Sequence, residues 1–212
     1  MRLLVVPMKP LAKAKQRLSE LFTADERRIL SLAMLADVIA SGRAMDATWV
    51  ICSDDEAADV ARDLGAIAVP DRTPEEGLNA SIAATTAEAV AAGARGMLLV
   101  SADCAAVHAD DVAAMTLGYG IALAPDRKGT GTNALWRQPC DLIPTWYGPK
   151  SRRAHQGLAY AHGLPFARIP RQRLAVDIDT PRDLDAACAL GVGPATDDAL
   201  RRLGYPAAIG GR

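Results

Sequence analysis

A chain of 212 residues, half of them apolar and 23% charged, is long enough for one compact domain with a substantial core. Its formal net charge of −1 excludes a general electrostatic pull toward nucleic acid or anionic membrane, so any basic site must be a local cluster. The four cysteines, Cys52, Cys104, Cys140 and Cys188, show no C-x-x-C spacing, which argues against a zinc site and a disulfide framework and for reduced thiols in a cytoplasmic protein.

The start, "MRLLVVPMKP", is a short apolar run stopped by proline, too short for a signal-peptide core, and no apolar stretch is long enough to span a bilayer. "LLVVP" (3–7) predicts a buried strand. Residues 24–42 have helical spacing at Ile29, Leu32, Leu35 and Ile39 and end at glycine. Strand 48–53, helix 55–65, strand 66–70 and the alanine-rich helix 78–93 follow. "GMLLVSAD" (96–103) reads as a continuous apolar strand ending in a carboxylate, then helix 109–118 and strand 120–125. After "PDRKGTGTNAL" (125–135) the pattern loosens, with a helix over 151–163 and a strand over 165–170. Helix 180–191 carries Thr180 as N-cap, Pro181 at its first position and Asp183 as the capping-box acid, and a last helix covers 196–203. This alternation implies a mainly parallel sheet covered on both faces, with ligands held beyond the carboxyl ends of its strands.

Several polar groups follow strands directly. Lys9, Lys13, Lys15 and Arg17 lie within nine residues after the first strand, where a triphosphate would be gripped; a solvated basic loop has the same composition. There is no Walker P-loop. Asp103, at the mouth of a buried strand, suits a metal, and serves equally as a turn aspartate. Asp177 and Asp179 lie two apart on an extended segment and point the same way; Asp179 also precedes a helix cap, where an anion is favoured. Gly77 and Asn79 stand at a helix entrance, glycine admitting a planar base and asparagine serving as an N-cap. In "WYGPKSRRAH" Ser151 reads as an N-cap, the helix start with two arginines can bind an anion, and His155 reads as a surface or capping histidine.

Together, "VPMKPLAKAKQRL", "GLNASI", "LLVSAD", "APDRKGTGTNAL", "YGPKS…H" and "DIDTPRDL" resemble the phospholactate guanylyltransferase family over about residues 2–190. The resemblance implies a single Rossmann-like α/β nucleotidyltransferase domain over 1–212, three-layered around a mainly parallel, mixed sheet. It implies Mg²⁺-dependent GMP transfer from GTP to 2-phospho-L-lactate, phosphoenolpyruvate or 3-phosphoglycerate in coenzyme F-420 biosynthesis, with a downstream transferase consuming the product. It implies catalytic roles for Lys15, Arg17, Asp103 and Asp179, the two aspartates holding the metal, and nucleotide contacts from Lys9, Lys15, Arg17, Gly77, Leu78 and Asn79. Thr132, Gly148 and Ser151 would cradle the acceptor anion, the "GTGTN" loop giving backbone amides and threonine hydroxyls. Relatives usually continue Asp103 with Leu-Pro-Leu where this chain has "CAAV", and often have glycine where Lys150 stands. A molybdopterin or sugar-acid nucleotidyltransferase and a non-catalytic nucleotide-binding regulator stand as the alternatives.

Overall fold

A computed structural model describes residues 1–116, 118 and 120–205. The predicted helix over 109–118 and the expected domain over 1–212 extend onto residue 117 and residues 206–212, which lie outside those described. In chain order the strands are β1 (Arg2–Pro7), β2 (Ala47–Cys52), β3 (Ile67–Pro70), β4 (Gly96–Val100), β5 (Gly120–Ala124), β6 (Ala134–Gln138) and β7 (Phe166–Arg168). The helices are α1 (Ala24–Ser41), α2 (Asp55–Asp63), α3 (Leu78–Ala91), α4 (Ala109–Met115), α5 (Ser151–Ala161), α6 (Gln172–Ala175), α7 (Pro181–Leu190) and α8 (Pro194–Arg202).

The seven strands form one sheet in the order β3-β2-β1-β4-β6-β5-β7. Alternate side chains of each strand face opposite ways, and both faces are apolar. Leu4, Val6, Val50, Leu98 and Trp136 pack on α1, α2 and α4, while Leu3, Val5, Ile51, Leu99 and Leu135 pack on α3 and α5. A third cluster, including Phe22, Leu30, Met34, Ile178, Leu184 and Leu200, joins the start of α1 to α7 and α8. Three layers result, as the alternation predicts.

Local chemistry sets the helix boundaries. Thr23 and Glu26 form a reciprocal capping box at α1, and Thr180, Pro181 and Asp183 do the same at α7 as the sequence predicts. The buried stripe of α1 runs through Leu30, Met34, Leu35 and Val38; Ile29, expected in the core, is 45% exposed. Asp37 of α1 accepts from the Ala195 and Thr196 amides and so caps α8 from another element. Gly193 is required there, because a Cβ would lie 2.2 Å from the Asp37 carboxyl carbon.

The sequence pattern misses β6. It pairs antiparallel with β4 and β5, so the sheet is mixed. Antiparallel pairing brings the start of β6 beside the carboxyl end of β4, with Val100 opposite Ala134. The loops after β1, β3 and β4 and the loop between β5 and β6 therefore meet at one edge. Strand order reverses between β1 and β4, where such sheets open a crevice.

Candidate active site

That crevice is a cavity of about 420 Å³, entered from the carboxyl ends of β1 and β4. Lys9, Lys13, Lys15 and Arg17 line it from the loop after β1, and Gly77 and Leu78 from the start of α3. Ser101, Asp103 and Asp179 close its floor. Predicted residues far apart in sequence thus meet at one place.

Lys15 organises the floor. It has a left-handed backbone, φ 50°, and its side chain is only 8% exposed. Its ammonium donates to Asp103 Oδ2 at 2.7 Å and Asp179 Oδ1 at 3.4 Å. Burial opposes charge on the amine, but the two carboxylates outweigh it and hold its pKa above the ordinary lysine value. Burial likewise works against the Asp103 carboxylate, yet Lys15 and the donated Ser101 hydroxyl keep its pKa below the usual range. Asp177 stands behind the pair and accepts from Asn133 Nδ2 at 3.1 Å. Burial first, then the charge of Asp103, pushes its carboxyl up. Asp103 and Asp179 thus share one ammonium with a third carboxyl, Asp177, nearby, an oxygen set short of positive charge, which fits a further cation such as Mg²⁺. Among the described residues no group of three or more His, Cys, Asp or Glu side chains is placed to enclose a metal, so the protein would supply only part of its coordination.

The other predicted residues form a second cluster outside this cavity lining. Ser151 Oγ donates to Thr132 Oγ1 at 3.2 Å, and both residues are buried. Three expectations change here. Ser151 is the first helical residue of α5, the cap being Lys150 in a left-handed conformation, φ 61°. The amides of Ser151, Arg152 and Arg153 donate to the Gly148, Thr130 and Lys150 carbonyls, so this helix start has little left for an anion. In the "GTGTN" loop the Thr130 and Gly131 amides are taken by the Asp126 carboxylate and the Gly129 amide by its carbonyl. Thr132 alone among them keeps an amide with no hydrogen-bond partner among the described residues. Arg127 ties the loop to Asp183, the acid of the α7 capping box.

His155 is fully buried rather than at the surface. Its Nδ1 lies 3.1 Å from Thr132 Oγ1, and its Nε2 accepts from the Trp146 amide at 2.9 Å. Burial and then the nearby Arg137 cation press its pKa down to about 4. A histidine depressed in the fold contributes stability above its unfolded pKa, near 6.5, that is lost as pH falls toward the folded value; the full span is on the order of 3 kcal/mol. Equilibrium urea denaturation from pH 7 to pH 4 is expected to lose this component in His155→Gln, flattening the pH dependence.

Asn79 is not an N-cap; Gly77 fills that position with φ 86°, a conformation glycine adopts without strain, and space beside it is open. The Asn79 side chain accepts from the Tyr147 amide at 2.7 Å and donates to the Tyr147 carbonyl at 2.9 Å. It binds the β6–α5 loop to α3, a role its position in "GLNASI" gave no sign of. Asn79→Ala is expected to cost about 1–3 kcal/mol of stability in urea denaturation, since both Tyr147 groups lose a partner. The "CAAV" residues that depart from the family pattern are buried in the core, with the Cys104 thiol directed at the Leu174 carbonyl; they shape no part of the cavity lining.

The fold is that of the α/β nucleotidyltransferases. A putative nucleotide-diphospho-sugar transferase from Desulfovibrio desulfuricans superposes with a TM-score of 0.76 at 16% identity, covering 96% of this chain and 97% of that one. A nucleotidyl transferase from Methanothermobacter superposes at 0.62, also at 16% identity, covering 95% and 99%. Residues 1–209 match the family described as guanylyl transferase CofC-like, and the chain belongs to that family of nucleotidyltransferase enzymes. Two relatives carry the name phosphoenolpyruvate guanylyltransferase. That of Sphaerobacter thermophilus is 38% identical, covering 92% of this chain and 96% of its own; that of Mycolicibacterium smegmatis is 35% identical, covering 92% and 89%. No described helix is long and apolar enough to cross a membrane.

Proposed function

We propose that this protein transfers GMP from GTP to phosphoenolpyruvate, or to the related acids 2-phospho-L-lactate or 3-phosphoglycerate, releasing pyrophosphate in coenzyme F-420 biosynthesis. The observation that carries the reading is the Lys15 ammonium held between Asp103 and Asp179 on the floor of a cation-rimmed cavity. Family membership and the names of the relatives support the nucleotide and the first acceptor. One domain, acting in the cytoplasm, carries the site.

Lys9, Lys15 and Arg17 hold the triphosphate, and the open face of Gly77 and Leu78 receives the guanosine. Asn79 acts at the edge of that site, through the Tyr147 backbone rather than on the base. Asp103 and Asp179 would hold Mg²⁺, which supplies charge neutralisation between the phosphates when bound. Thr132 and Gly148, with Lys150 beside them, receive the acceptor, and Ser151 acts on it through the hydrogen bond it donates to Thr132. Its phosphate oxygen, already anionic, forms a bond to the α-phosphorus as the bond from that phosphorus to the β-bridging oxygen breaks. Pyrophosphate carries the electron pair away, and no enzyme base is needed. The protein's own contribution is to hold two polyanions in line and to set positive charge where the leaving group develops. A downstream transferase would consume the diphosphate-bridged product.

The test is pyrophosphate release with Mg²⁺, each of the four ribonucleoside triphosphates and each acceptor in turn. Turnover with GTP and a three-carbon phosphoacid is expected. Turnover only with another nucleotide, or only with a sugar acid or molybdopterin, would sink the reading.

A further inference from the structure

Thr132 sits at the junction of a buried hydrogen-bond chain whose proton positions follow from its far end. The Trp146 backbone N–H can only donate, and it donates to His155 Nε2 at 2.9 Å. Nε2 therefore carries no proton, and the neutral ring must carry its proton on Nδ1. That N–H faces Thr132 Oγ1 at 3.1 Å, while the Ser151 hydroxyl donates to the same oxygen at 3.2 Å. A hydroxyl oxygen accepts two bonds and donates one. With both acceptor positions filled, the only capacity left to Thr132 is its own proton.

We propose that His155 is a positioning residue that locks the Thr132 hydroxyl as a donor, aimed at the anionic acceptor. The inference rests on the reading of Thr132 as an acceptor contact. The arrangement suits an anion specifically, because a free threonine hydroxyl rotates and could present a lone pair to the incoming oxygen. The ring itself is barred from proton transfer with substrate: Nε2 is occupied by the Trp146 amide, and His155 is fully buried against Tyr147, the two rings steeply inclined at 72° with centroids 5.4 Å apart. Arg137 sits close enough to oppose protonation, which keeps the neutral form and hence the single tautomer in place. His155 therefore acts only through Thr132.

The experiment is a double-mutant cycle on acceptor kinetics, with GTP kinetics as the internal control. The side-chain amide of asparagine stands near where Nδ1 does, so His155→Asn can still donate to Thr132. Glutamine places its amide near Nε2, so His155→Gln can still accept from Trp146 but no longer locks the hydroxyl. Thr132→Val is expected to lower kcat/KM for the acceptor about tenfold or more, the effect of losing a donor to a charged group. His155→Gln should lower it comparably in the wild-type background and leave it unchanged in the Thr132→Val background, with the KM for GTP within about twofold throughout. His155→Asn should retain most of the activity. A purely structural histidine would instead give equal losses in both backgrounds and in GTP kinetics, which would overturn the proposal. If Thr132→Val leaves acceptor kinetics intact, both this proposal and the acceptor role of Thr132 fail; if it impairs them but His155→Gln does not, only this proposal fails. Should the histidine variants not fold, ¹⁵N NMR of histidine-labelled wild-type protein decides. A proton on Nδ1 with a bare Nε2 is expected, and the opposite tautomer would refute the lock.

Discussion

Asp103→Asn is expected to lower turnover by on the order of 10²–10³, the usual loss when one member of an electrostatic clamp is neutralised. Asparagine keeps the size of the side chain and an oxygen for the Ser101 hydroxyl, so the change isolates charge. Asp179→Asn should be the milder of the two. Its side chain is 40% exposed against 13% for Asp103, and it lies 3.4 Å from the ammonium rather than 2.7 Å. Stability of Asp103→Asn should fall by no more than about 2 kcal/mol, because Asp179 still partners Lys15. Single-turnover pyrophosphate release beside a thermal melt separates the two effects, and near-wild-type turnover would remove Asp103 from the chemistry.

Lys15→Ala carries the second large effect. It should weaken GTP binding by about 10²-fold, as loss of a buried charge-assisted contact does, with a smaller effect on the acceptor. It should also cost about 3 kcal/mol of stability, since the buried Asp103 carboxylate is left without its partner. The pH dependence supplies a sign. In the wild type the Asp103 pKa is depressed, so its stabilisation is present above the ordinary carboxylate range and is lost as pH falls through the folded value. Without Lys15, burial alone would raise that pKa, and acidification toward pH 4 should instead narrow the gap to wild type. Unchanged GTP affinity in titration calorimetry would make Lys15 a structural counter-ion only.

The parallel half of the sheet was plain in the sequence because β1, β2 and β4 each carry a run of apolar residues buried on both faces, Leu3–Val6, Trp49–Cys52 and Met97–Val100. Strand β6 was hidden by Arg137, a cation at a position 2% exposed, whose two terminal guanidinium nitrogens donate to the Ile143 carbonyl and the Thr86 hydroxyl while its Nε has no partner among the described residues. Only the tertiary structure makes such a residue tolerable in a core. Lys9, Lys15, Arg17 and Asp103 could be picked out because they follow the ends of β1 and β4, and Gly77 and Asp179 because they stand just before helices, all in recognisable motifs. The roles of Asn79, Asp126 and His155 could not, because each is defined by bonds to backbone groups or hydroxyls brought near by folding. The amide donors that the resemblance implies for "GTGTN" are largely spoken for, because a motif shows that amides are present and not that Asp126 has taken those of Gly129, Thr130 and Gly131.

That closed loop bears on how acceptor preference can drift among descendants of such a chain. Asp126 holds the amides of Thr130 and Gly131, the Arg152 amide reaches the Thr130 carbonyl, and the Arg152 side chain reaches that of Gly129. A Cβ at Gly131 would already press on the Asp126 carboxyl at 3.1 Å. Lengthening or shortening the segment by one residue would break this set at once, so insertion and deletion are closed routes to a new substrate. Exchange of single exposed side chains around a fixed backbone remains open, and at Lys150, solvent-exposed but left-handed at φ 61°, it is open to glycine or asparagine far more than to β-branched residues.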